Sequence, residues 1–196
     1  MANYLVIGAS SGIGKKLSEN LTASGHQVYG TYHKNETALN EQGIHWHSLN
    51  VLDETLTMDF LPETLSGVAY CPGSILLRPF DRIKPEDFIK DYSLQVVGAV
   101  KVIQAALSKL KASENASIVL FSTVAVQTGL AFHSQVSASK GAVEGITKAL
   151  AAEFSPKIRV NCIAPSLTDT PLAASLLNSE IKKQSNAERH PLKRIG

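Results

Sequence analysis

The segment Gly8-Ala9-Ser10-Ser11-Gly12-Ile13-Gly14 follows the apolar run Tyr4-Leu5-Val6-Ile7 and runs into Lys15-Lys16-Leu17-Ser18-Glu19-Asn20-Leu21. Strand, glycine turn and helix in that order restrict the fold sharply, because the chain must reverse where few side chains obstruct it. The same order builds an anion site. Glycines let the backbone approach a phosphate, and the opening helix directs unpaired N–H groups and its positive dipole end at it. A dinucleotide is the ligand this pattern favours, an ordinary strand-to-helix turn being the plainer alternative.

The remainder of the chain supports one globular domain spanning 1–196: with 196 residues and 44% hydrophobic content it can bury a substantial core. Net charge is only +2, from 19 basic and 17 acidic side chains. That balance gives no broad field for nucleic acid or membrane phosphates, so neither is an expected partner. Cys71 and Cys162 show no metal-ligand spacing and no framework of bridges, which fits buried thiols in a reducing cytosol. No metal is expected. No apolar window approaches membrane-spanning length and no leader pattern opens the chain, so a soluble, cytoplasmic protein is expected.

β-rich runs at 4–7, 27–31, 44–49, 67–70, 117–122 and 158–164 alternate with helical stretches. The first helix is expected over 12–24, with Ile13, Leu17 and Leu21 on one face and Gly25 as its stop. A second, opened by Pro85, runs over 85–112, and a third, alanine-rich and closed before Pro156, over 134–154. This alternation predicts an α/β fold, a Rossmann-like doubly wound parallel sheet in three α/β/α layers, with ligands beyond the carboxyl ends of the strands.

The glycine spacing, Tyr70-Cys71-Pro72-Gly73 after a strand, Ser137-Ala138-Ser139-Lys140 in a helix, and Arg159-Val160-Asn161-Cys162-Ile163-Ala164-Pro165 together resemble the short-chain dehydrogenase/reductase family. The resemblance covers essentially the whole chain. It implies a nicotinamide cofactor, a small carbonyl or alcohol substrate, and homodimers or homotetramers packed through the two long helices. It also implies a last helix and strand beyond Gly196 that the chain lacks.

Against that pattern several positions depart. The family places a tyrosine, its proton donor and acceptor, four residues before the lysine, and here that position is Val136. An isopropyl group can neither give nor take a proton. The family's serine aligns with Thr123 and its helix-breaking asparagine with Gln95, so a hydroxyl and an amide persist. Lys140 matches the lysine that holds the nicotinamide ribose hydroxyls. His133, three residues before Val136, is a candidate replacement for the phenol because imidazole transfers protons near neutral pH. Tyr70 is a second phenol at a strand end, expected to line the cofactor cleft. Thr123, Lys140, Gln95 and His133 are thus the candidate catalytic residues.

Dinucleotide contacts are expected from Gly8, Ser10, Ser11, Gly12, Ile13 and Gly14 of the turn and from Thr31, His33 and Lys34 after the second strand. By resemblance Asn50 and Val51 meet the adenine, and Cys71, Pro72, Gly73, Lys140, Pro165, Thr168 and Thr170 surround the nicotinamide half. NAD-selective sites carry a carboxylate at the end of the second strand, which repels the extra phosphate of NADP. Here Thr31 and Asn35 offer hydrogen-bond donors and His33 and Lys34 positive charge. NADP(H) is therefore favoured over NAD(H). The sequence supports two functions: an NADP(H)-dependent reductase or dehydrogenase, or a dinucleotide-binding protein that lost turnover and serves as a sensor or structural partner. Val136 favours the second, and the retained cofactor-side residues favour the first. Residues 171–185 are expected to cover the substrate.

Overall fold

Period-two alternation of apolar side chains places both faces of every central strand in contact with helices, and the chain resolves this as a single parallel sheet. The computed structural model describes residues 1–34 and 43–196. Strands β1 (Asn3–Ile7), β2 (Gln27–Tyr32), β3 (Ile44–Ser48), β4 (Gly67–Tyr70), β5 (Ala116–Phe121) and β6 (Ile158–Ile163) stand in the order β3-β2-β1-β4-β5-β6. Each neighbouring pair is parallel. The direction of winding reverses between β1 and β4, which opens a crevice at their carboxyl ends.

Helices α1 (Gly12–Ala23), α2 (Pro85–Tyr92), α3 (Gly98–Lys111), α4 (Ala125–Thr128), α5 (Ser134–Phe154) and α6 (Glu180–Glu188) complete the layers, with a 3-10 turn at Pro171–Leu176. Leu5, Ile7, Val68, Tyr70, Ile118 and Leu120 point to one face of the sheet and pack with Val102, Ile103, Ala106, Leu110 and Val143 of α3 and α5. Val6, Val28 and Ala69 point to the other, against Leu17 and Leu21 of α1. The expected Rossmann-like architecture is therefore the one observed.

The second helix departs from its expected form. Instead of one regular helix over 85–112, the run is α2, then a π-helical turn at Ser93–Val97, then α3. A π turn inserts a residue into the helical ladder and frees a carbonyl from its usual partner. That carbonyl is met from the sheet: Tyr70 Oη donates to Leu94 O at 2.5 Å. Tyr70 is consequently a core residue, 3% exposed, rather than a wall of the cofactor cleft. Burial pushes its phenol well above the ordinary tyrosine range, so it stays protonated against Leu94 O.

Gly98 is required by the same contact. A Cβ at this position would stand 2.3 Å from Tyr70 Oη and 3.1 Å from Val51 Cγ2. Gly98→Ala should therefore destabilise the fold by about 1–3 kcal/mol through overpacking, measured as a lowered denaturant midpoint.

Candidate active site

The crevice at the reversal point is a cleft of about 320 Å³. Its floor is the glycine turn. Gly8 and Gly12 have φ of +75° and +53°, backbone that side chains disfavour. At Gly14 the constraint is contact: a Cβ would lie 2.3 Å from Gly8 O, so only glycine lets the first turn of α1 settle on the end of β1. Ser11 is the N-cap of α1, yet its side chain makes no capping hydrogen bond, and no acidic residue occupies the first turn. The first N–H groups of a twelve-residue helix thus open onto the cleft with no carboxylate beside them.

Of the residues expected from sequence, Gly8, Ser10, Ser11, Gly12, Ile13 and Gly14 form this floor, and Thr31, His33 and Lys34 stand along the wall at the end of β2. Thr31 is buried, and its Oγ1 accepts from Gly8 N at 3.2 Å, which ties the end of β2 to the turn. His33 and Lys34 are exposed. Val51, Cys71, Pro72, Gly73 and Thr170 complete the matching wall. Tyr32, Leu49, Leu94, Pro171 and Leu172 also line it and were missed from sequence. The last two belong to the stretch expected to cover the substrate. Among the described residues the cleft wall carries no carboxylate. Asn35 lies outside the described residues.

Four expected contacts sit off the wall, Lys140 among them. Asn50 Nδ2 donates to Asp53 Oδ1 at 2.6 Å, and its Oδ1 accepts from Leu52 N, so the side chain closes its own turn. Pro165 O accepts from Val124 N. Thr168 Oγ1 donates to Ser166 O at 3.1 Å.

Two of the candidate catalytic residues, Lys140 and Gln95, meet beside Gly73. Lys140 Nζ donates to Phe121 O at 2.8 Å. It stands 3.9 Å from the point where a Gly73 Cβ would be, and Gln95 Oε1 stands 3.6 Å from that point. Amide and ammonium thus lie near one point beside the cleft. Burial drives the Lys140 ammonium down to about 8, opposed by the negative charge of Asp91. Thr123 Oγ1 accepts from Ala125 N at 3.3 Å at the start of α4. His133, half-buried at the start of α5, has its Nδ1 2.7 Å from Ala131 O, leaving Nε2 as the ring's other nitrogen. Val136 is buried, 8% exposed.

Sequence reasoning missed a buried carboxylate. Asp91 is 3% exposed and accepts from Gln95 Nε2 at 2.8 Å on both oxygens, and Ser74 Oγ donates to it as well. The spacing of Asp91 and Gln95, four apart on one helical run, was the available signal.

A dinucleotide fits this donor set. The uncapped amino end of α1, the side-chain-free turn and the basic end of β2 open on one cleft without an opposing carboxylate.

Comparison with known proteins agrees with the geometry. The profile of a family described as Enoyl-(Acyl carrier protein) reductase matches residues 8–196. A tropinone reductase homolog of Arabidopsis thaliana is 32% identical over 211 residues, covering 99% of this chain and 80% of that protein. Another, from Datura stramonium, is 30% identical over 98% of this chain and 79% of its own length. Among solved structures, the Pseudomonas aeruginosa RhlG/NADP active-site complex superposes with a TM-score of 0.91 at 20% identity, over 100% of this chain and 84% of that one. The aldohexose dehydrogenase of Thermoplasma acidophilum superposes with a TM-score of 0.86 at 22% identity, over 100% and 81%. Sheet order, glycine turn, the lysine of α5 and these likenesses together make the chain a member of the short-chain dehydrogenase/reductase family of oxidoreductases.

Proposed function

We propose that this chain is an NADP(H)-dependent oxidoreductase that interconverts a small carbonyl compound and its alcohol. The observation that carries the reading is the single cleft shared by the amino end of α1 and the His33–Lys34 pair, with no carboxylate on its described wall. Positive charge there suits a ribose phosphate, and a carboxylate would repel it. The RhlG structure and that of ElxO with NADP bound, of the same fold, contain this dinucleotide.

When bound, the nicotinamide supplies or accepts the hydride. The chain's own residues bind and orient. Lys140, held by Phe121 O, keeps further N–H donors for ribose hydroxyls. Thr123 holds the carbonyl oxygen of the substrate through its hydroxyl. His133 gives the proton to that oxygen in reduction and takes it back in oxidation. Leu172, half exposed on the 3-10 turn beside the cleft, provides an apolar cover. Ile89 and Tyr92, exposed on α2, favour assembly of identical chains along the 85–112 run.

Val136 favours a second reading, a dinucleotide-binding protein without turnover, because no phenol stands where the family has one. Loss of a general acid costs about 10²–10⁴ in rate while leaving binding intact. Turnover with a carbonyl substrate therefore separates the two readings. Lys140→Ala should abolish it, and His133→Ala should lower it by about 10²-fold or more. Turnover unchanged by both substitutions would refute the reductase mechanism.

Fluorescence titration with NADPH and NADH tests the cofactor. Saturable binding with a preference for NADPH is expected, and Lys34→Ala should erase the preference while sparing NADH. Lys140 is charged below about 8 and loses its proton as pH rises through that value. Affinity should accordingly fall on the alkaline side of about pH 8, and Lys140→Met should flatten that fall.

A further inference from the structure

Asp91 is a buried carboxylate for which the reading above gives no task. Two side chains address it through three hydrogen bonds: Gln95 Nε2 reaches both oxygens at 2.8 Å and Ser74 Oγ donates from the loop after β4. A carboxylate accepts and cannot donate, so Gln95 must turn its NH₂ group toward Asp91 and its oxygen away. That oxygen accepts no hydrogen bond from any described residue and faces the Gly73 position, where Lys140 Nζ also lies. Asp91 and Lys140 form no direct ion pair among the described contacts, since Nζ donates to Phe121 O. Within a protein interior, water and salt screen the attraction between such groups poorly.

We propose that Asp91 is a positioning residue. Its carboxylate is the fixed counter-charge of the Lys140 ammonium, and through Gln95 it aims an amide oxygen at the same spot. The cluster gives Lys140 a charge partner in a site where Val136 supplies no polar group. The other titratable groups around Lys140 are neutral or engaged. Burial pushes the Cys71 thiol up to about 12, and Cys162 of β6 is also raised, first by burial. Glu144, one turn along α5, accepts from Ser122 Oγ and Gln127 Nε2, both at 2.6 Å. Asp91 is left as the anion that acts on Lys140 from outside its own helix.

The test is competitive amine labelling of Lys140 with acetic anhydride as a function of pH, read by peptide mass spectrometry in the protein without cofactor. It reports on Lys140 whether or not the protein binds a dinucleotide, so its outcome is independent of the function proposed above. Asp91→Asn should move the labelling midpoint to lower pH and raise reactivity at neutral pH by roughly threefold to fivefold. Ser74→Ala, which removes a hydrogen bond but no charge, should leave the midpoint in place. An unmoved midpoint in Asp91→Asn, or an equal shift in Ser74→Ala, overturns the proposal. If Asp91→Asn does not fold, the double variant Asp91→Asn/Lys140→Met decides. Recovery of a cooperative unfolding transition supports the coupling, and failure to recover it counts against it.

Discussion

The approach of α1 to the end of β1, with Gly14 seated against the carbonyl of Gly8, is the contact on which the rest of the site depends. Any side chain at residue 14 would lift the helix off the strand and carry its first N–H groups away from the crevice. With the helix seated, Thr31 at the end of β2 can accept from Gly8 N, and the two sides of the cleft are locked together. Strand order then does the remainder. Because β4 lies beside β1 on the side away from β2, the loop carrying Cys71, Pro72 and Gly73 closes the cleft opposite His33 and Lys34.

The polar groups behind Gly73 have a different physical character. The glycine-turn end of the cleft offers backbone N–H groups and the exposed Lys34, which adjust at little cost. Behind Gly73, Asp91 and Gln95 are buried and Ser74 and Lys140 half-buried, so each member constrains the others. A buried carboxylate without partners would be costly, and three hydrogen bonds meet this one. Gln95 is one methylene longer than the asparagine of the family. That extra reach spans the turn to a carboxylate four residues back on the same helical run.

Much of the fold was legible because its determinants are local. Strand alternation, the glycine turn, Gly25 after α1 and Pro85 before α2 each act within a few residues. The cleft floor was legible for the same reason. Tyr70 was misread as a cleft residue although its alternation with Val68 already assigned it to the core face of β4. Asp91 and Ser74 were not legible, since they lie 17 residues apart and meet only after α2 packs beneath the β4 loop. Asn50, the adenine position in the family register, closes the short turn to Asp53 with its amide, a local contact that the sequence does not spell out. The π turn escaped notice because apolar spacing over 85–112 is compatible with either ladder when only one residue is added.

That one added residue has a geometric effect of its own. An extra position in a helix turns everything after it by roughly 100° relative to an uninterrupted spiral. α2 and α3 are therefore two segments out of phase, one phased to carry Asp91 inward beneath the active-site loop and the other to lay Val102, Ala106 and Leu110 on the sheet. A single regular helix could not satisfy both azimuths at once. The phenol of Tyr70, deep in the core, is bonded to the Leu94 carbonyl inside the π turn, at the point where the two phases meet.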